Sequence, residues 1–151
     1  MTDSLEQLVR DIRALQSPLI LLVGPPGSGK TQRLRQLAAK LSSESINVGL
    51  ELARLLAATP NNKRGFSAGE LLREITNNHK TGGLLLLDDL ELLFEPSLQV
   101  NPLDLIKRLA HAQPVVAVWP GELRGDRLTY ADMSHPEHRD YSREGVVVFE
   151  V

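Results

Sequence analysis

Cysteine is missing from all 151 residues, which excludes a disulfide framework and any thiolate metal site and gives no reason to expect an oxidising compartment. Long apolar runs are missing too, so no segment approaches the length needed to cross a bilayer. The start, Met1-Thr2-Asp3-Ser4-Leu5-Glu6, is polar and acidic rather than basic then apolar, unlike a secretory signal. A cytoplasmic protein with no membrane contact is the expectation. Net charge is small, −2, so the chain as a whole does not attract nucleic acid, and any DNA contact has to come from a local basic patch or from many assembled subunits. Internal repeats, low-complexity tracts and linkers are likewise not found. What is present is a 42% hydrophobic composition in a length suited to one domain, 1–151, with a proper core.

Apolar spacing divides that core into elements. Leu5, Leu8, Ile12 and Leu15 recur at helical intervals, and Leu19–Val23 is an uninterrupted run of the kind that forms a parallel strand covered on both faces. Leu34, Leu37, Ala38 and Leu41 return to helical spacing, ending at Ser42-Ser43. Ile46–Leu52 reads as a short strand running into a helical turn. Thr59–Phe66 reads as a polar loop, and Ser67-Ala68-Gly69-Glu70 as a capping box that opens a helix with Leu71, Leu72 and Ile75 inward. Gly82-Gly83 precedes a buried strand, Leu84–Leu87, that delivers Asp88 and Asp89 at its C-terminal end. Pro102 opens a helix with Leu103, Ile106, Leu109 and Ala110 inward. Val115–Val118 and Val146–Phe149 read as the fourth and fifth strands. Strands alternating with helices argue for an α/β fold, a doubly wound parallel sheet.

Chemistry concentrates after the first strand. Gly24-Pro25-Pro26-Gly27-Ser28-Gly29-Lys30-Thr31 fits GxxxxGK[ST] without a mismatch, between a strand and a helix as the phosphate loop requires. Residue frequencies alone would produce that pattern in roughly 0.5% of chains this long. The glycines let the backbone curl so that successive amides point at phosphate oxygens, and the positive end of the following helix, reached through Gln32, adds to the cradle. Lys30 is expected to reach the β and γ phosphates, and Thr31 to offer its hydroxyl to Mg2+. Asp88, after four leucines, is the expected Walker B carboxylate holding a magnesium water, with Asp89 placed to orient the attacking water. Taken alone, Leu84–Asp89 reads equally as a core strand followed by a helix cap; the upstream loop decides for the functional reading.

These two motifs resemble the AAA and wider ASCE group of P-loop ATPases, and Leu86-Leu87-Asp88-Asp89-Leu90-Glu91 is similar to the Walker B of bacterial replication initiators. The length, the Gly-Pro-Pro-Gly-Ser-Gly-Lys-Thr loop and the segment Tyr130–Arg139 further resemble the small P-loop proteins of BREX phage-defence systems, the BrxF type. The resemblance implies a P-loop NTPase core that uses ATP and Mg2+ to assemble and remodel. The chain departs from the group in three places. Trp119-Pro120-Gly121 stands where a polar sensor, Asn or Thr, usually ends the fourth strand. Asp89 replaces the usual Glu. The helical lid with its second sensor arginine is not expected. The resemblance therefore implies slow or partner-dependent hydrolysis and a site completed by a neighbouring subunit.

Arg143 and Arg139 precede the last strand, where AAA rings carry the arginine finger that enters the neighbour's site, so both are candidate catalytic groups alongside Lys30 and Asp89; solvated surface arginines are the plain alternative. Arg124 and Arg127 are weaker candidates. Lys63-Arg64-Gly65-Phe66, basic and aromatic, could touch DNA or simply be a solvated loop. His135 and His138 are spaced by three but have no second cluster to complete a zinc shell. Three functions compete. The leading one is an ATP-hydrolysing assembly switch in a DNA-related, phage-defence complex, as a homo-oligomer or with larger partners. The others are a small-molecule kinase whose lid charge comes from the four arginines, and an adaptor that binds nucleotide without hydrolysing it.

Overall fold

The computed structural model describes residues 4–12, 18–60, 64–79, 83–130 and 139–151. In chain order its elements are α1 (Ser4–Ile12), β1 (Leu19–Val23), α2 (Lys30–Lys40), β2 (Ile46–Asn47), α3 (Val48–Ala57), α4 (Arg64–Asn78), β3 (Leu85–Asp88), α5 (Pro102–Ala112), β4 (Val115–Val118), β5 (Glu122–Arg124), β6 (Arg127–Tyr130), β7 (Arg139–Ser142) and β8 (Val147–Glu150), with two 3-10 turns at Glu91–Phe94 and Pro96–Leu98.

The apolar runs form a five-stranded parallel sheet in the order β2-β3-β4-β1-β8. Every residue of β1 and β4 is buried, which is why neither run shows alternation. Successive side chains point to opposite faces: Leu19, Leu21 and Val23 pack with residues of α3, α4 and α5, while Ile20 and Leu22 pack with residues of α1 and α2. Each fully buried leucine contributes roughly 1.5–3 kcal/mol relative to exposure. Helices therefore cover both faces, the doubly wound arrangement expected. Parallel register brings Val23, Asn47, Asp88, Val118 and Glu150 to one edge of the sheet, the edge where such folds bind ligands. Among the described residues no helix is long and apolar enough to cross a membrane.

The second strand is short and runs straight into a helix, as expected: it is two residues long, because the Asn47 side chain accepts a bond from the Leu50 amide at 2.9 Å and starts a ten-residue helix at once. Two other expectations are corrected. The capping box at Ser67 is not used: α4 already begins at Arg64, which places Arg64–Phe66 in its first turn instead of a loop. Ala68, Leu72 and Ile75 bury one stripe of that helix, and Gly65, costing about 1 kcal/mol, is too weak a breaker to stop the helix extending back a turn. Lys63 lies outside the described residues. Finally, strands do not simply alternate with helices to the end, since an antiparallel sheet, β5-β6-β7, stands between β4 and β8. Gly125, at φ 59°, and Asp126 make a two-residue hairpin that pairs Arg124 with Arg127.

Candidate functional site

From Val23 the chain leaves β1 into the loop 24–29. Gly27 and Gly29 have φ of 82° and 92°, left-handed values that a side chain would strain. They let the Ser28 amide fold back onto the Pro25 carbonyl at 3.1 Å. Gly24 serves packing instead: a β-carbon there would stand 2.6 Å from Ser28 Oγ and 3.1 Å from the Val151 carbonyl. Gly29 caps α2, its carbonyl accepting the Arg33 amide at 2.9 Å, so the amides from Gly29 to Gln32 have no acceptor within the helix. The Gln32 side chain is exposed, and Pro25 and Pro26 form the open rim. Ser28 Oγ is buried and meets no hydrogen-bond partner among the described residues. A row of unmet donors at a positive helix end, with an orphaned hydroxyl beside it, fits a phosphate chain.

Beside this loop the end of β3 arrives. Thr31 Oγ1 donates to Asp88 Oδ1 at 3.1 Å, and the Asp89 amide donates to the same oxygen at 2.8 Å. Pro26, Lys30, Thr31, Asp88, Asp89, Glu91, Val118 and Pro120 line a cavity of about 380 Å³. A hydroxyl and a carboxylate side by side are a donor set that suits Mg2+, which keeps most of its waters and takes few protein oxygens. Among the described residues no cluster of three His, Asp or Glu offers an all-protein metal site, and His135 and His138 lie outside them.

Lys30 Nζ donates to the Trp119 carbonyl at 2.9 Å. Burial lowers its pKa, opposed by the carboxylates of Glu91, Glu122 and Asp88. Glu91 was not among the expected site residues. Its carboxyl is pushed up to about 7, first by loss of hydration and then by a side-chain hydrogen bond with Asp89. The signal for it lies in the neighbouring apolar positions: Leu90, Leu93 and Phe94 turn into the core, leaving Glu91 on the cavity side.

Residues 20–109 match the ATPase family associated with various cellular activities (AAA). The chain belongs to that family. AAA membership carries nucleotide binding and ATPase activity, normally with Mg2+. Among curated proteins, the chain is 33% identical to the Lon protease of Lachnoclostridium phytofermentans over 78 residues, 50% of this chain and 10% of that one. It is 30% identical to Lon protease 2 of Borreliella burgdorferi over 80 residues (51% and 10%) and 32% identical to the Lon protease of Azorhizobium caulinodans over 80 residues (51% and 9%). The chain thus spans about a tenth of the length of these relatives. No solved structure matches it significantly.

The AAA sensor place is filled in an unusual manner. The Trp119 ring is fully buried, its Nε1 donating to the Thr129 carbonyl at 2.9 Å, and it meets Phe94 and Tyr141 edge-on at 5.3 and 5.7 Å. Only its backbone carbonyl faces Lys30. A second cavity, about 250 Å³, lies between the phosphate loop and the hairpin, lined by Pro26, Lys30, Pro120, Gly121, Glu122, Arg124 and Thr129.

Arg124 and Arg127 face each other across the hairpin. Arg124 borders this second cavity and pairs with Glu122 at 3.4 Å, whereas Arg127 bonds Asp140 at 3.0 Å. Arg143 lies in the turn before β8, at the opposite end of the sheet from Val23 by roughly 10 Å or more of strand. It cannot serve its own chain's site. Arg139 opens β7 opposite Tyr130, with its side chain outside the described residues.

Proposed function

We propose that this AAA chain binds ATP with Mg2+ through the loop 24–32, hydrolyses it slowly, and uses the bound nucleotide as an assembly switch. The observation that carries the proposal is the Thr31–Asp88 hydrogen bond, which joins the phosphate loop to the end of β3 inside the cavity that Lys30 also lines. In this reading Lys30 leaves the Trp119 carbonyl for the β and γ phosphates, Thr31 and Asp88 would hold Mg2+, and the amides of Gly27 and of Gly29 to Gln32 cradle the phosphates. Mg2+, when bound there, would neutralise phosphate charge.

The position of Arg143 supports a subunit arrangement in which one chain's arginine enters its neighbour's site, with Arg139 the alternative finger. The homo-oligomer, larger partners and a phage-defence role are parts of the same proposal and rest on the sequence resemblance, while a cytoplasmic setting rests on composition and DNA contact on the basic character of Lys63 and Arg64 beside Phe66. The kinase reading is not carried further, since the family is one of ATPases.

The experiment is phosphate release together with solution size by native mass spectrometry, with and without ATP and Mg2+. Wild type is expected to turn over ATP and to grow in mass only with nucleotide, and Lys30→Ala to do neither. Identical assembly and hydrolysis in the two proteins refutes the switch. Tight ATP binding without any phosphate release favours the adaptor instead.

A further inference from the structure

We infer that Glu91, not Asp89, is the carboxylate that orients and deprotonates the attacking water, displaced three residues along the chain from the magnesium-holding Asp88. The inference rests on the ATPase reading above and assigns its missing group.

Asp89 follows Asp88 directly, but its backbone turns away at once, with φ of 57° and its amide bound back to Asp88 Oδ1. The carboxylate that results is packed over the start of α3. A β-carbon on Gly49, in the first turn of that helix, would stand 2.5 Å from Asp89 Oδ2 and 2.8 Å from Asp89 Cγ. An acidic group at a helix N-terminus is favourably placed there by the helix dipole, so Asp89 has a structural reason to stay: it ties β3 to α3. Its remaining side-chain bond runs to Glu91.

Glu91 stands on the other side of that bond. The 3-10 turn Glu91–Phe94 is held by Leu90, Leu93 and Phe94 in the core, and this fixes position 91 at the cavity that Lys30, Thr31, Asp88 and Asp89 also line. Of the carboxylates around the Lys30 ammonium, Glu91 acts on it most strongly, ahead of Glu122 and Asp88. A carboxylate that shares a cavity with the lysine expected at the γ phosphate is placed to meet a water there. The longer glutamate side chain supplies the reach that aspartate at 89 lacks, while much of the residue stays open to the solvent that delivers the water. An ordinary carboxylic acid is a weak base at neutral pH; the raised affinity of Glu91 for a proton suits it to accept one.

The step balances. The water oxygen forms a bond to the γ phosphorus as the bond from that phosphorus to the β–γ bridging oxygen breaks, and ADP leaves with the electron pair. The water proton passes to the Glu91 carboxylate and from there to the departing phosphate.

The test compares wild type, Glu91→Gln, Glu91→Asp, Asp89→Asn and Lys30→Ala by steady-state phosphate release and by affinity for a fluorescent ATP analogue. Glu91→Gln is expected to lower kcat about a hundredfold while binding the analogue within about threefold of wild type. Glu91→Asp should restore part of the rate, and Asp89→Asn should cost less than about tenfold in kcat, with its main effect on thermal stability. The inference is overturned if Glu91→Gln keeps wild-type kcat, if it loses binding and rate together, if its defect is cured by added Mg2+, or if Asp89→Asn alone removes turnover. Wild type that turns over no more ATP than Lys30→Ala sinks the ATPase reading itself. Active wild type with an indifferent Glu91→Gln sinks only the assignment of Glu91.

Discussion

Gly121→Ala is expected to be among the most damaging single methyl additions in this chain, although Gly121 has an ordinary backbone and lies outside the phosphate loop. A β-carbon at 121 would stand 1.6 Å from the Thr129 carbonyl oxygen, 2.6 Å from its carbon and 3.0 Å from Trp119 Nε1. The obstacle is the β6 backbone, which cannot rotate aside as a side-chain tip would, so the hairpin must move away from the end of β4. That movement costs about 2 kcal/mol as forced overpacking. It also breaks the bond from Trp119 Nε1 to Thr129, about 1 kcal/mol. A loss of about 3 kcal/mol lowers Tm by roughly 6–12 °C for a chain of this size. Trp119 is the sole tryptophan, so its emission reports the same event and should shift to the red as the ring leaves the cluster with Phe94 and Tyr141. Thermal melts followed by circular dichroism and by fluorescence make the measurement. Gly125→Ala is the control: no atom lies within 4 Å of its β-carbon, and only its φ of 59° is strained, which costs about 1 kcal/mol. Equal effects of the two substitutions, or unshifted emission in Gly121→Ala, would refute the close-approach reasoning.

Thr31→Ala removes the hydroxyl that bonds Asp88 at 3.1 Å, and a titration of ATP binding against Mg2+ should show a requirement raised by about tenfold; an unchanged titration removes Thr31 from the metal site. Arg143→Ala should bind ATP normally yet lose turnover by about a thousandfold, and mixing it with Lys30→Ala should restore activity at hybrid sites, because Arg143 can act only on a neighbour. Full activity of Arg143→Ala alone marks it as a solvated arginine. Glu91 also gives the free protein a pH signature. Its folded pKa is about 7, above the ordinary 4.5, so between those values the folded chain keeps a proton that the unfolded chain has released. Stability should therefore fall as pH rises from 4.5 to 7 and then level off, by less than about 1 kcal/mol because the residue is open to solvent. Denaturant melts of Glu91→Gln should lack that component, and an identical pH profile for both proteins would count against the perturbed carboxyl.

What could be read before folding was what depends on neighbours in sequence. Leu19–Val23 and Val115–Val118 are strands because a run with no polar residue has to be buried on both sides, and Gly27 and Gly29 are required by a loop that closes within eight residues. Contacts between distant segments were not legible. β5 and β6 each carry one leucine, Leu123 and Leu128, too little for a period to show, and their sheet exists because the Gly125 turn and the Trp119 anchor hold them together. Ser67 had the spacing of a cap, but a buried stripe outweighs a cap worth about 1 kcal/mol. Asp89 is placed at the cavity as its position in the motif leads one to expect, whereas its φ and its contact with Gly49 belong to the folded chain alone.

The strand order explains why the carboxylate on the β3 side matters. Because β4 lies between β1 and β3, whichever residue follows Val118 leaves the sheet between the C-terminal ends of those two strands. In this chain Trp119 stands there and makes three bonds in three directions: its amide to the Leu22 carbonyl at 2.9 Å, its carbonyl to Lys30, and its ring N–H to Thr129. An asparagine or threonine at 119 could reach toward a water but could not fill the cluster with Phe94 and Tyr141, so anchoring the antiparallel sheet and presenting a polar sensor are incompatible demands on one position. Val118 and Pro120 on either side have no polar side-chain atoms. The wall of the cavity that β4 supplies therefore cannot orient water through a side chain, and the groups left to do so are those after β3, where Asp89 and Glu91 both line the cavity and Asp89 also packs against Gly49.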